Sequence, residues 1–217
     1  LKADLETVHR SLLKHQGPSF KVGALPDLVR SVDVFGFHLA TLDMRQNSSV
    51  HGRVVAELLK VAGVAGDYEK LAEGERCRLL LGELEHGRLL SSPFAAYSEE
   101  TKRELQTLAA AAEIKRRHGP ETIRNYVISD TSSLSDLLEV YLLLKEVGLF
   151  RPGEAAETEI FSEPLFETIE DLRAAPKIMR DLLSVPMVRR STNWKGGVQE
   201  VMMGYSDSNK DGGFIAS

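Results

Sequence analysis

Apolar and polar residues alternate along this chain in two rhythms, and the switches between them divide it into elements. Leu1, Leu5, Val8 and Leu12 recur at helical spacing and predict an amphipathic helix that ends near Gly17-Pro18. A second short helix is expected from about Leu25 to Val32. Phe35 to Gln46 alternates apolar and small residues in the manner of a strand and ends in the polar set Asp43, Arg45, Gln46, Asn47 and Ser48. Ser48 or Ser49 is placed to cap the next helix, with Val50, Val54, Leu58 and Ala62 on its buried face and Gly63 as its stop. Residues 67–92 read as helical pieces joined at Gly74, Gly82 and Gly87. Ser98 to about Arg117 predicts a long helix, whose Glu99 and Glu100 at one end and Lys115, Arg116 and Arg117 at the other complement the helix dipole.

The second half repeats the theme. Asn125 to Ser129 reads as a strand, Ser133 to Asp136 has the spacing of a capping box, and the helix that follows, Leu137 to Val147, closes at Gly148. Ile160 to Phe166 is a third strand, expected to be short because of Glu163 and Pro164, and a helix broken near Pro176 follows. Val201, Met202 and Met203 form an apolar run of the kind buried on both faces of a sheet, and pass directly into a polar loop, Gly204 to Gly213.

Strand, polar loop and helix repeated four times imply parallel strands with right-handed crossovers. Half of a βα barrel and an open doubly wound sheet both satisfy that pattern. No GxGxxG and no GxxxxGK[ST] supports the nucleotide-binding versions of the open sheet, so the barrel is preferred. The expected class is helix-rich α/β, part of an eight-stranded βα (TIM-like) barrel with extra helices. Residues 1–217 would form a single incomplete domain, about half of a barrel, with 62–120 a mostly helical insertion. The chain opens inside a helical pattern and stops in Gly213 to Ser217 as another apolar segment starts, which reads as an internal segment of something longer.

Composition narrows the function. The 217 residues are 42% hydrophobic and 27% charged, enough for one substantial core. The 27 Lys and Arg stand against 32 Asp and Glu, a net charge of -5, so no basic surplus argues for nucleic acid or a membrane surface as partner. Cys77 is the only cysteine, which excludes an intramolecular disulfide and a cysteine-rich zinc site; it reads as a quiet helix residue in a chain suited to a reducing cytoplasm. No stretch approaches the ~20 apolar residues of a membrane span, and the first residues lack the pattern of a signal peptide. His38 is expected to be packed in its strand. HExxH, CxxC and GxSxG are absent, leaving zinc peptidase and serine hydrolase readings without a foothold.

Three residues at strand ends carry the candidate chemistry: Arg45, Glu167 and Asp207. The two carboxylates offer hard oxygen ligands for magnesium or manganese, and the guanidinium offers a planar fork for a phosphate or carboxylate. An anionic, phosphorylated substrate bridging metal and arginine is the simplest reading. Plainer roles stand beside it: Arg45 as a partner of Asp43 or Asp33, Glu167 as a first-turn helix acid, and residues 204–213 as a solvated turn.

Phe35 to Gln46, Pro164-Leu165-Phe166-Glu167-Thr168 and, most specifically, Gly204-Tyr205-Ser206-Asp207-Ser208-Asn209-Lys210-Asp211-Gly212 resemble phosphoenolpyruvate carboxylase of the bacterial type, and the similarity covers essentially the whole chain. The resemblance implies a cytoplasmic homotetramer with a helix-rich βα barrel, acting on phosphoenolpyruvate and bicarbonate with Mg2+ or Mn2+. It matches Arg45 to a phosphate-binding arginine, Glu167 and Asp207 to the metal ligands, and Leu165 and Met202 to residues lining the carbon dioxide pocket. Lys210 falls at a family lysine near the site, taken here as catalytic. The family's catalytic histidine and later phosphate arginines lie outside these residues, so a non-catalytic scaffold segment and a different metal-dependent, phosphate-binding barrel enzyme are the competing readings. The chain also departs from the family, with Asn47 where a glutamate is usual and Asp130-Thr131 where Met-Ala is usual.

Overall fold

The computed structural model describes residues 1–153, 157–194 and 196–215. The chain falls into two compact units, residues 1–41 and 42–217. The apolar segment expected to open at Phe214 runs into residues 216–217, which lie outside the described residues.

The first unit is a helical pair, α1 (Lys2–Gln16) and α2 (Ala24–Phe35), tied by an ion pair from Lys2 to Asp33. Helix α2 runs three residues past the expected end and stops where Gly36 takes φ 59. Phe37 and Leu39 are 86% and 92% exposed and His38 lies outside any strand, so the first strand does not begin at Phe35. Alternation makes a strand only where a neighbour offers a ladder, and the ladder starts at Leu42, opposite Ile123.

The second unit contains, in order, β1 (Leu42–Asn47), α3 (Ser48–Val61), α4 (Glu73–Leu84), α5 (Glu99–His118), β2 (Ile123–Ser129), α6 (Leu134–Glu146), β3 (Phe150–Arg151), β4 (Glu157–Thr158), β5 (Phe161–Phe166), α7 (Ile169–Ser184), α8 (Pro186–Trp194), β6 (Met202–Met203) and α9 (Tyr205–Gly212). Strands β1, β2, β5 and β6 form one parallel sheet in that order, and β3 and β4 form a separate antiparallel pair. Helix-rich α/β architecture with a parallel sheet is therefore observed; among the described residues the sheet has four strands and does not close.

Several local expectations are corrected. Gly74 and Gly82 lie inside α4 rather than between helices. Strand β5 runs through Glu163 and Pro164, with Pro164 opposite Ile128. Helix α7 continues through Pro176, and the break falls at Val185, ahead of Pro186. The run 201–203 is a two-residue strand with Met203 69% exposed, so it is not buried on both faces.

The core sits on one face of the sheet. Tyr126, Ile128 and Phe166 join Val54 and Leu58 of α3 and the leucines of α6 in a single cluster, while Val127 and Leu165, alternating with them, point to the opposite face. Helix α6 is apolar nearly all round and correspondingly buried from Leu137 to Glu146. That burial encloses three ionisable side chains, each of which finds a structural task. Lys145 donates to the carbonyls of Glu83 at 2.7 Å and His86 at 3.3 Å, and Glu146 accepts from the N–H groups of Leu90 and Ser91. Glu139 accepts from the Tyr68 hydroxyl at 2.8 Å.

Cys77 donates its thiol to Glu73 at 3.1 Å, and burial together with that carboxylate pushes its pKa up to about 12, so it remains a thiol. His51 is wholly buried against Tyr126, and burial pushes its pKa down to about 4, which keeps it neutral in the core.

Glu139 sets a pH dependence of stability. Burial pushes its pKa from 4.5 up to about 8, so folding takes up a proton between those values and stability falls as pH rises through that window. The slope for one such group approaches ~1.4 kcal/mol per pH unit. Glu139→Gln, neutral at every pH, is expected to show a melting-temperature advantage that grows from pH 5 to pH 8 and is flat above it. Parallel melting curves for the two proteins across that range would contradict this assignment.

Candidate functional site

Parallel pairing brings the strand ends to a common edge, and the register irregularity of β1 against β2, between Leu42 and Met44, lies at the other end of the ladder. Asn47 of β1 lies opposite Ser129 of β2, Ile128 of β2 opposite Pro164 of β5, and Phe166 of β5 opposite Met203 of β6. Every residue that follows those pairs is delivered to the carboxyl edge of the sheet, where parallel α/β folds collect their chemistry.

Arg45 and Glu167 meet there although 122 residues separate them: Arg45 Nη2 lies 3.4 Å from Glu167 Oε1. Arg45 has no bond to Asp43. Asp43 instead accepts from the backbone N–H of Asn125, and Asp33 pairs with Lys2. Glu167 is not a first-turn helix acid either, because Thr168 caps α7 and the acids of its first turn are Glu170 and Asp171. Arg45 is 57% and Glu167 21% exposed at the side chain, so the pair contributes only ~0–1 kcal/mol and its effect is one of orientation.

The second oxygen of Glu167 is held more closely. Oε2 accepts the backbone N–H of Asp130 at 2.8 Å, and Asp130, with φ 59, is the one non-glycine residue at positive φ among the described residues. Its carbonyl accepts the Ser48 hydroxyl at 2.7 Å.

Strand β6 approaches β5 closely just past Glu167. The Gly204 N–H donates to the Phe166 carbonyl at 2.8 Å, and a Cβ at Gly204 would stand 3.1 Å from both that oxygen and Glu167 Cα. Glycine is favoured by this approach rather than by a turn, since φ is -77 and a Cβ would force the neighbouring backbone to give by a few tenths of an ångström.

Asp207 and Lys210 lie on α9 rather than in a loop, a further correction. An acid in the first turn, a lysine in the last turn with Nζ 3.6 Å from Asp207 Oδ1, and Gly213 at φ 78 make the stretch a short capped helix. Asp211 anchors it by accepting the Ile169 N–H at the start of α7 at 2.9 Å, and Ser208 is buried. Leu165 and Met202 are ladder partners; Leu165 is 2% exposed and Met202 half-buried.

Glu167 and Asp207 thus follow the last ladder pair of two adjacent strands. Among the described residues no group of three or more His, Cys, Asp or Glu forms a complete metal cage. Two carboxylates at a solvent-facing edge have the oxygen chemistry that would suit a hard, water-rich cation of the magnesium type rather than a closed zinc site.

A helix-rich α/β segment that gathers a guanidinium and carboxylates at the carboxyl edge of a parallel sheet is the class of protein defined so far. The sequence model for phosphoenolpyruvate carboxylase matches residues 1–217. The chain is 52% identical over 221 residues to the phosphoenolpyruvate carboxylase of Ralstonia nicotianae, covering all of this chain and 22% of that one. It is 54% identical over 217 residues to that of Rhodopseudomonas palustris strain BisA53 and 49% over 215 to that of Nitrosomonas eutropha, each covered to 23%. The chain belongs to the phosphoenolpyruvate carboxylase family, and spans a little over a fifth of the length of these relatives.

Gly204, Asp130, Ser48 and Asp211 were not singled out as site residues from the sequence. Gly204 had one visible signal, a glycine closing an apolar run. Because its Cβ would press on backbone rather than on a flexible side chain, Gly204→Ala is expected to destabilise the chain by about 1–3 kcal/mol in urea unfolding. Gly66→Ala, facing open space, serves as the control and should change stability by less than about 0.5 kcal/mol.

Proposed function

We propose that this chain is the part of a phosphoenolpyruvate carboxylase that carries the metal ligands and one phosphate-binding arginine. The whole protein would add bicarbonate-derived carbon dioxide to phosphoenolpyruvate, giving oxaloacetate and phosphate. The observation that carries the reading is the meeting of Arg45 and Glu167 at the carboxyl edge of the sheet, in a chain that matches the family from end to end.

Bicarbonate attacks phosphorus, giving carboxyphosphate and the enolate of pyruvate; carboxyphosphate splits into carbon dioxide and phosphate, and the enolate carbon attacks carbon dioxide. In this reading Arg45 receives the phosphate charge in a bidentate fork. Glu167 and Asp207 hold Mg2+ or Mn2+, which when bound supplies the positive charge that favours the developing enolate oxygen. Leu165 and Met202 keep water from the enolate, and Lys210 contributes a further cation near the site. The family also implies a complete eight-stranded barrel, with residues 1–217 about half of it and 62–120 its helical insertion, in a cytoplasmic homotetramer.

The 217-residue chain alone should give no oxaloacetate above background in a coupled assay with phosphoenolpyruvate, bicarbonate and Mg2+, since the reaction needs groups from elsewhere in the protein. Clear turnover by the chain alone would contradict this. In the full-length protein, Arg45→Ala is expected to lower kcat/KM for phosphoenolpyruvate ~10²-fold or more. Asp207→Asn should raise the metal concentration needed for half-maximal activity and leave the melting temperature nearly unchanged. Wild-type kinetics in both variants would overturn the reading.

A further inference from the structure

The tightest polar construction at the carboxyl edge is made by groups to which the proposed reaction gives no task. Strand β2 leaves the sheet through Asp130 in the left-handed conformation, which is disfavoured for residues with a Cβ and tolerated best by Gly, Asn and Asp. The peptide is pinned from both sides. The hydroxyl of Ser48, 8% exposed at the first position of α3, donates to the Asp130 carbonyl at 2.7 Å. Thr131, fully buried, donates its hydroxyl to the Ile128 carbonyl at 2.7 Å. Held this way, the Asp130 N–H points at Glu167 Oε2, 2.8 Å away, while Arg45 faces Oε1. The carboxylate of Asp130 is exposed and makes no hydrogen bond among the described residues, so the backbone of this residue is what the site uses.

We propose that Ser48 and the left-handed Asp130 peptide are positioning groups for Glu167, holding its carboxylate in the rotamer that presents its free lone pairs to the divalent cation. The inference rests on the assignment of Glu167 as a metal ligand. A carboxylate offers about four lone-pair sites; with one taken by the Asp130 N–H and one facing Arg45, two remain for a cation. Outer partners that fix a ligand in this way typically matter ~10–100-fold in metal affinity. Backbone strain at such a point is retained where the surrounding structure enforces it, here through the Ser48 and Thr131 bonds.

The test is Mn2+ binding to the full-length protein without substrates, read from the electron paramagnetic resonance signal of the free ion. Ser48→Ala and Asp130→Val are expected to weaken binding ~10-fold or more. Asp130→Gly, which keeps the N–H and suits the left-handed backbone, should stay within about threefold of the parent. Ser48→Ala, a change of one hydroxyl, decides the matter if Asp130→Val does not fold. Glu167→Gln separates this inference from the reading it rests on. If Glu167→Gln binds Mn2+ as the parent does, the ligand assignment itself fails. If Glu167→Gln loses binding while Ser48→Ala binds like the parent, the ligand assignment stands and the positioning role is wrong. Equal loss in Asp130→Gly and Asp130→Val would also overturn it, by making the Asp130 side chain the group that matters.

Discussion

Everything at the carboxyl edge depends on four parallel strands being held in register at their carboxyl ends by the helices packed on one face. A slip of one residue would carry Arg45 to the core face and Met44 to the site, because side chains alternate with period two. Two features resist that slip. Tyr126, Ile128 and Phe166 are locked into the buried cluster around α6, and Lys115 of α5 donates to the Pro120 and Ile123 carbonyls, fixing where β2 begins. With β2 fixed, β1 and β5 pair on either side of it, and Arg45 reaches past the end of β2 to Glu167.

The polar groups inside this unit fall into two kinds. Lys115, Lys145 and Glu146 are buried charges whose partners are backbone carbonyls or N–H groups, so they act as fasteners that tie neighbouring segments to helices. Arg45, Glu167, Asp207 and Lys210 keep solvent access at the strand ends, and the ion pairs among them are long, at 3.4 and 3.6 Å. A fastener is satisfied internally. Groups with such long ion pairs at a sheet edge retain capacity for a cation and an anionic substrate, which is what the proposed chemistry asks of them.

Long periodic elements were legible in the sequence, and short contextual ones were not. The long helix after Ser98 and the capping box at Ser133 with Asp136 follow from local spacing, and the structure reproduces both. Phe35 to Thr41 misled because its alternation has no ladder partner, and Pro176 misled because surrounding packing tolerates one missing helical hydrogen bond. The helix at Tyr205–Gly212 was hidden by composition: Asp, Ser, Asn and Gly favour turns intrinsically, and its Gly213 cap together with anchoring by Asp211 and Ser208 sets that preference aside. Arg45 and Glu167 were readable as candidates because each falls in the polar stretch at the end of an apolar run. Their contact, and the role of Asp130 between them, could not be read, since both depend on strand order and on one backbone dihedral. Asp130 stood out only as a departure from the family pattern.

The central claim is that the ends of β5 and β6 converge on one divalent cation. A crystal structure of the full-length protein grown with Mn2+, with the ion located by anomalous scattering, tests it directly. The account predicts one ion bonded at ~2.0–2.2 Å to a carboxylate oxygen of Glu167 and to one of Asp207, with Arg45 close by. An ion bound elsewhere, or an ordered structure with the two carboxyl groups more than about 8 Å apart, beyond what one cation can bridge, would contradict it.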